Sequence, residues 1–493
     1  GAGGAGGGGS GEVQTIALSP ASASIDIDGK KKLKVTATFT DGHTADVTAA
    51  ATLASSDPSV DVQGADAVGV TGGDATVTAS FQGATVQSAI HVLDFTQPQL
   101  IEQLQGSRTF GPIVDVGGRG WVKWGSLDTP TTNLTTFDPV AGWDGGQTFP
   151  FDYLAAALPV DGNRFMVIQG DGALGVDVAF WDLATSSVSG SPEQVSPTPD
   201  TQNQVWAIAV SRDKQHVVLL VAPTTPNDAP LYAVRWSATS GWEAGVHVDT
   251  LPGVSATDPQ VLVQNDGSYM AVYGAEVDPQ SDNADVKVLF APASGPLGAP
   301  TTIASNVWLP EIAIGTSTAG RGAIVVSFDH GPNAKLYEFN ATTLLPTQGA
   351  VVNFAGSAYS MGWRLAVLPN GDTLGYRYPS GGQPGSVVLH AAGASTVTTD
   401  LTLAPKSMPF ALTARDDGNV MLLTREAATM TTPVRWTVTR RDPSGVWHTP
   451  VVLAIPGPQA QATGSVVEAR DGTMVLDFET GTAHPKNYAV VYR

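Results

Sequence analysis

QVLVQNDGSYMAVYGAE, residues 260–276, is the stretch that decides the fold. Apolar residues fill positions 261–263, the run Asn265-Asp266-Gly267 interrupts them, and an apolar run resumes at Tyr269. Asn-Gly and Asp-Gly between apolar alternations predict two-residue hairpins, because both central positions need positive φ. The same punctuation recurs at Gly117-Gly118, Asp161-Gly162-Asn163, Arg212-Asp213-Lys214, Ala319-Gly320, Asn370-Gly371, Asp417-Gly418-Asn419 and Asp471-Gly472. The spacing averages about 50 residues, a period that belongs to repeat architectures.

Each unit opens with an apolar strand, turns, enters a second strand, passes a variable loop and makes a third. Some add a Gly-Trp strand, at Gly142-Trp143, Gly241-Trp242 and, one residue shifted, Gly445-Val446-Trp447. Those Trp residues are expected to pack between neighbouring units rather than to stack on a ligand. Repeats of this length with up to four strands each mark a β-propeller, in which no unit buries its faces alone. Eight blades are expected, or seven if one weak unit is misread. The last unit has only three strands before the chain stops, and the apolar segment 98–104 precedes the first unit without one of its own. That segment is expected to supply the missing strand and close the ring. Trp-Asp occurs only at Trp143-Asp144 and Trp181-Asp182, so the units are not WD40 repeats.

Residues 12–94 are organised differently. Short alternating runs such as Leu33, Val35, Ala37 and Phe39 stop at turns such as Asp41-Gly42 and Ser55-Ser56-Asp57-Pro58. About seven strands with turns every 8 to 12 residues predict an immunoglobulin-like β-sandwich. The stretches at 13–20, 33–42, 46–48, 55–60 and 73–79 resemble bacterial Ig-like domains of group 2 (BIG2), over nearly all of 12–94. One departure is Leu53, where that family often has Trp. The resemblance implies a spacer or adhesive module of secreted and surface proteins. Lys30, Lys31, Lys32 and Lys34 are expected to form a solvated edge that discourages strand-to-strand association. Residues 1–11 are a Gly-rich flexible tether by composition. Such a tether resembles the segment after the lipidated cysteine of bacterial lipoproteins, so a lipid anchor upstream of Gly1 is an expectation. The organisation is therefore all-β throughout: tether 1–11, sandwich 12–94, propeller 95–493.

Composition narrows the function. The formal net charge is −20, which argues against nucleic acid, whose phosphates need a basic surface. Cysteine is absent, which excludes disulfides and thiolate metal sites within the chain. No apolar stretch reaches the roughly 18 residues that a membrane span needs. Secretion or display on the outer surface is the expected location.

The loops between second and third strands are long and differ in every unit, and all should lie on one face of the disc, where function usually sits. The most polar of them carries Glu276, Asp278, Asp282 and Asp285. Several oxygens in one loop suit Ca2+, although EF-hand spacing is missing and a solvated loop is the leading reading. No other cofactor is expected. Asp329, His330, Tyr378 and His484 fall on the same expected face and are the candidate ligand-binding residues. Hydrolytic motifs such as G-x-S-x-G and H-E-x-x-H are missing, so no catalytic residue is named and an enzyme is the less favoured option. The leading expectation is a recognition or adhesion protein whose loop face binds a glycan or protein. The alternatives are a polysaccharide-active propeller hydrolase or lyase, and a structural subunit of an extracellular assembly.

Overall fold

The computed structural model describes residues 12–94 continuously and, from 99 to 492, the strands and their shorter connections. Residues 1–11, 95–98, 341–364, 454–465 and most long loops, including 278–282, 329–332, 378–383 and 481–485, lie outside the described residues, as do the side chains of 95–157 and 454–493. The described residues contain strands and turns and no helix.

Residues 12–94 form ten short strands in three sheets around one core. Leu33, just before the strand Lys34–Phe39, and Val35 and Ala37 within it meet Val77, Ala79 and Ile90 from another sheet, all essentially buried. The alternation read from the sequence puts these residues on one face of each strand, as the two-residue period requires. Ser22–Asp26 runs parallel to Ala84–Leu93 and Ile27 makes a parallel bridge to Gly69, while the other strand pairs are antiparallel.

From residue 99 onward the strands form eight separate sheets. Seven follow one another along the chain, at 107–149, 154–195, 203–251, 256–308, 311–340, 365–402 and 407–452. The eighth combines Val466–Glu468, Met474–Thr480 and Lys486–Tyr492 with two pieces from the start of the propeller, Gln99–Leu100 and Leu104–Gln105. Gln99 pairs with Val491 and Leu104 with Asn487, so the early segment joins the last sheet as expected.

The central strands show why the sheets stack. In Tyr269–Glu276 every residue but the last is buried. Tyr269, Ala271, Tyr273 and Ala275 pack against the preceding sheet, with Val218, Leu220 and Leu231. Met270 and Val272 pack against the following one, with Ile324, Val326 and Phe339. His216–Pro223 divides likewise: Val217, Leu219 and Val221 face back and Val218, Leu220 and Ala222 face forward. A strand buried on both faces reads as a continuous apolar run. Each large side chain so buried contributes about 1.5–3 kcal/mol, and none of it is available to an isolated sheet. This is the physics of a β-propeller. Trp242 packs at the junction of the second and third sheets, and Trp447 at that of the sixth and seventh, as expected of the Gly-Trp positions.

Polar contacts repeat the theme. Lys287 Nζ reaches Asp249 Oδ2 in the preceding sheet at 2.7 Å. Tyr337 Oη donates to the Ile303 carbonyl at 2.8 Å. Arg441 Nε and Trp447 Nε1 both donate to Asp400 Oδ2, at 2.8 and 2.7 Å. In each case the third strand of a sheet, or the segment just after it, holds the outer strand of its predecessor.

The first turns depart from the sequence reading. At residues 264–268, Gln264 N–H donates to the Ser268 carbonyl and Gly267 N–H to the Gln264 carbonyl. Only Gly267 has positive φ, at 84°. The turn is thus a three-residue loop with one left-handed position, the type I turn plus bulge, rather than a two-residue hairpin. The reason is local: Asp266 Oδ1 accepts the Ser268 N–H and hydroxyl, which holds the middle of the loop right-handed. The turns at Gly371 and Gly418 share the backbone pattern. Lys214 takes the left-handed position, φ 63°, in a four-residue variant.

The lysine run also departs from expectation. Lys31 is not wholly solvated: its Nζ lies 3.4 Å from Asp417 Oδ2, in the first turn of the seventh sheet.

Candidate functional site at the ring axis

The first strands of successive sheets touch one another from the second sheet to the seventh, and the first strand of the first sheet touches the eighth. Each first strand of the first seven sheets lies at one end of its sheet's order and pairs on one side only. These strands therefore line the axis, and each turns an edge of unpaired backbone N–H and C=O groups inward.

Five of them share one irregularity. The pairing register shifts between Thr109 and Pro112, Leu154 and Ala156, Val205 and Ala207, Thr257 and Gln260, and Pro409 and Ala411. A bulge of this kind bends the strand and re-aims backbone groups, and such bulges concentrate beside functional sites. Four fall in the first half of the strand and the fifth, between Thr109 and Pro112, spans its middle, so all stand away from the first turn and toward the end of the axis where the long loops emerge. Trp206 and Phe410 occupy bulge positions and are half-buried, and Phe410 meets Trp436 edge-on at 4.8 Å. Met408, beside Pro409, is 43% exposed.

Elsewhere the described lining is mostly apolar, with Gln260, Glu311 and Thr413 as half-buried polar exceptions. Ile208, Val261, Leu262, Ile314 and Leu365 are all half-buried on first strands. Among the described residues, no group of three or more His, Asp or Glu could hold a metal ion. No helix of the described residues is long and apolar enough to cross a membrane.

The bulges carried a sequence signal that the turn-based reading passed over. Pro112, Pro259 and Pro409 each sit at or beside a bulge inside a first strand. Proline cannot donate to a ladder, so within a sheet it marks an edge or a bulge.

Most of the residues expected to bind cannot be compared with this site. Asp329, His330, Tyr378 and His484 lie outside the described residues, as do Asp278 and Asp282. Of the calcium set, Glu276 and Asp285 are described, on paired strands in which Glu276 faces Ala284 and Ala275 faces Asp285. Asp285 Oδ1 accepts the Asn306 N–H at 2.9 Å, fixing the outer strand where the register shifts and Asn306 takes φ 55°. Its carboxylate thus has a structural partner.

No protein-family model matches the chain, and no curated protein matches it in sequence. Solved structures do resemble it. A puromycin-hydrolyzing peptidase of Mycobacterium tuberculosis aligns with 76% of this chain and 58% of its own, at 13% identity and a TM-score of 0.44. The β-propeller domain of the Trilobed protease from Pyrococcus furiosus aligns over 72% of this chain and 100% of its own, at 9% identity and 0.41. The BP39L lectin of Burkholderia pseudomallei covers 71% and 99%, at 11% identity and 0.43. Prolyl endopeptidase and other puromycin hydrolase structures recur among them. The chain spans between about half and three fifths of the length of the peptidases it matches. The expectation of a recognition or adhesion protein, with its polysaccharide-enzyme and assembly-subunit alternatives, is corrected here: peptidases recur among the similar structures. The architecture, an all-β protein containing a β-propeller, rests on the chain's own strand order.

Proposed function

We propose that the protein is a non-catalytic propeller that admits an extended peptide at the loop-side end of its axis, in the service of a peptide-processing activity carried elsewhere. In this reading the eight sheets are eight blades of a closed ring, and residues 12–94 are an immunoglobulin-like domain of the BIG2 kind. The observation that carries it is the row of bulges in the innermost strands. They bring unpaired backbone groups and the half-buried Trp206 and Phe410 toward the loop-side end of a mostly apolar axis. An extended peptide is the ligand whose own N–H and C=O groups complement a free strand edge, while apolar pockets select its side chains. Catalysis by this lining is disfavoured because hydrolysis needs positioned acids, bases or nucleophiles, and the described first strands offer mainly aliphatic side chains.

The test uses the full chain with a fluorescein-labelled, unstructured apolar peptide containing proline. Saturable anisotropy, with no cleavage of the peptide over hours, is the expected result. Absence of binding sinks the peptide reading. Cleavage by the purified chain sinks the non-catalytic one.

A further inference from the structure

We infer that the sandwich is a brace seated on the ring's closing seam, pinned there by Lys31 and Asp417. The seam joins distant parts of the chain, and it is short. Gln99 and Leu100 pair with Val491 and Val490, and Leu104 and Gln105 pair with Asn487 and Lys486. Two pairings of two residues each are a modest clasp for a ring of this size, because an isolated short strand pair is marginal in water.

The sandwich is attached on both sides of that region. Its last strand, Ala84–Leu93, is followed within a few residues by Gln99–Leu100, so the chain itself ties it to the eighth sheet. Its strand Lys30–Lys32 reaches the seventh sheet, where Lys31 Nζ stands 3.4 Å from Asp417 Oδ2. The two side chains are 22% and 28% exposed, so the pair is partly withdrawn from water and screened less than a surface pair. Asp417 is held ready for it: Oδ1 accepts the Asn419 N–H at 3.0 Å and Oδ2 accepts Asn419 Nδ2 at 2.7 Å. The carboxylate is therefore built into the turn, and Lys31 is the movable partner that docks on it. Lys30 and Lys32, on either side, are exposed. The sandwich thereby spans the seventh and eighth sheets, on the first-turn face and opposite the end of the axis where the bulges gather.

This inference rests on the closed ring of the proposed reading and goes beyond its ligand. Hydrogen exchange of the full chain tests it, read at Gln99–Leu100 and Lys486–Tyr492 in wild type, Lys31→Met, Lys31→Arg and Lys30→Met. Lys31→Met is expected to raise exchange in these strands by roughly 2- to 5-fold, the effect of losing a partly exposed ion pair. Lys31→Arg and Lys30→Met should match wild type. Exchange in Lys31→Met equal to wild type overturns the brace, and so does an equal rise in Lys30→Met. A failure of the ring itself appears differently, as closing strands that exchange at unprotected rates in the wild type.

Discussion

Lys287 and Asp249 meet across two sheets, Nζ to Oδ2 at 2.7 Å, and the same carboxylate oxygen accepts the Tyr273 hydroxyl at 3.0 Å. One aspartate on an outer strand thus satisfies two groups of the next sheet. Burial first, and then the neighbouring Asp249 charge, push the Tyr273 hydroxyl far above its ordinary range, so it stays a donor at every accessible pH. Asp249→Ala removes the acceptor from both and leaves an ammonium and a hydroxyl without it. A loss of about 2 kcal/mol is expected, with Asp249→Asn costing about half as much. Urea unfolding of the three proteins measures this.

The left-handed turn position separates conformational from steric cost. Gly267 has φ 84°, and a Cβ there would stand 2.9 Å from His216 Nδ1 of the preceding sheet. Gly393 has φ 75° with open space around it. Gly393→Ala is expected to cost about 1 kcal/mol for the backbone alone. Gly267→Ala should exceed it, because His216 must also move. Equal costs in thermal unfolding would show that the turns do not abut around the ring.

Gly322 lies under the ring of Phe339, its partner across the sheet. A Cβ at Gly322 would come within 2.2 Å of Phe339 Cζ, and Phe339 is buried against Met270 and Val272. Gly322→Ala should destabilise by about 1–3 kcal/mol through overpacking. Combining it with Phe339→Leu should cost less than the sum of the two single changes, a non-additivity that a double-mutant cycle reads directly.

Three turn aspartates set the acid limit. Burial pushes the carboxyls of Asp266, Asp417 and Asp442 up, but hydrogen bonds from Ser268, Asn419 and Ser444 with Val446 reverse this, as do the charges of His216, of Arg415 and Lys31, and of His448. Each ends below its ordinary value of 3.8. The folded state then binds fewer protons than the unfolded one, so the stabilisation is complete above the ordinary value and is lost as pH falls through the lowered one. Stability should therefore drop below about pH 4, and replacing all three by Asn should flatten that slope. An unchanged slope in the triple variant would assign the acid limit to other carboxylates.

Much of the architecture was legible in the sequence because a propeller repeats. The Asn265-Asp266-Gly267 punctuation located the turns, and the apolar run from Tyr269 marked the second strand, whose burial on both faces the structure adds. The type of turn was not legible, since Asp266 Oδ1 chooses the loop by bonding Ser268, a contact that the dipeptide alone does not specify. Nor was the role of Lys31, because its partner is 386 residues away. The candidate site was read from loop length and polarity, which point to surfaces. The bulges lie instead within strands, where Pro112, Pro259 and Pro409 betrayed an interruption of the ladder, while the bulge at Trp206 has no proline to mark it.

The most direct measurement is hydrogen exchange of the full chain with and without a saturating unstructured apolar peptide. Protection is predicted in the innermost strands, over Asn203–Val210, Ala256–Val263 and Ser407–Ala414, where the bulges leave backbone groups to be paired. Protection absent from these strands, or confined to the long loops, would contradict an axial peptide site.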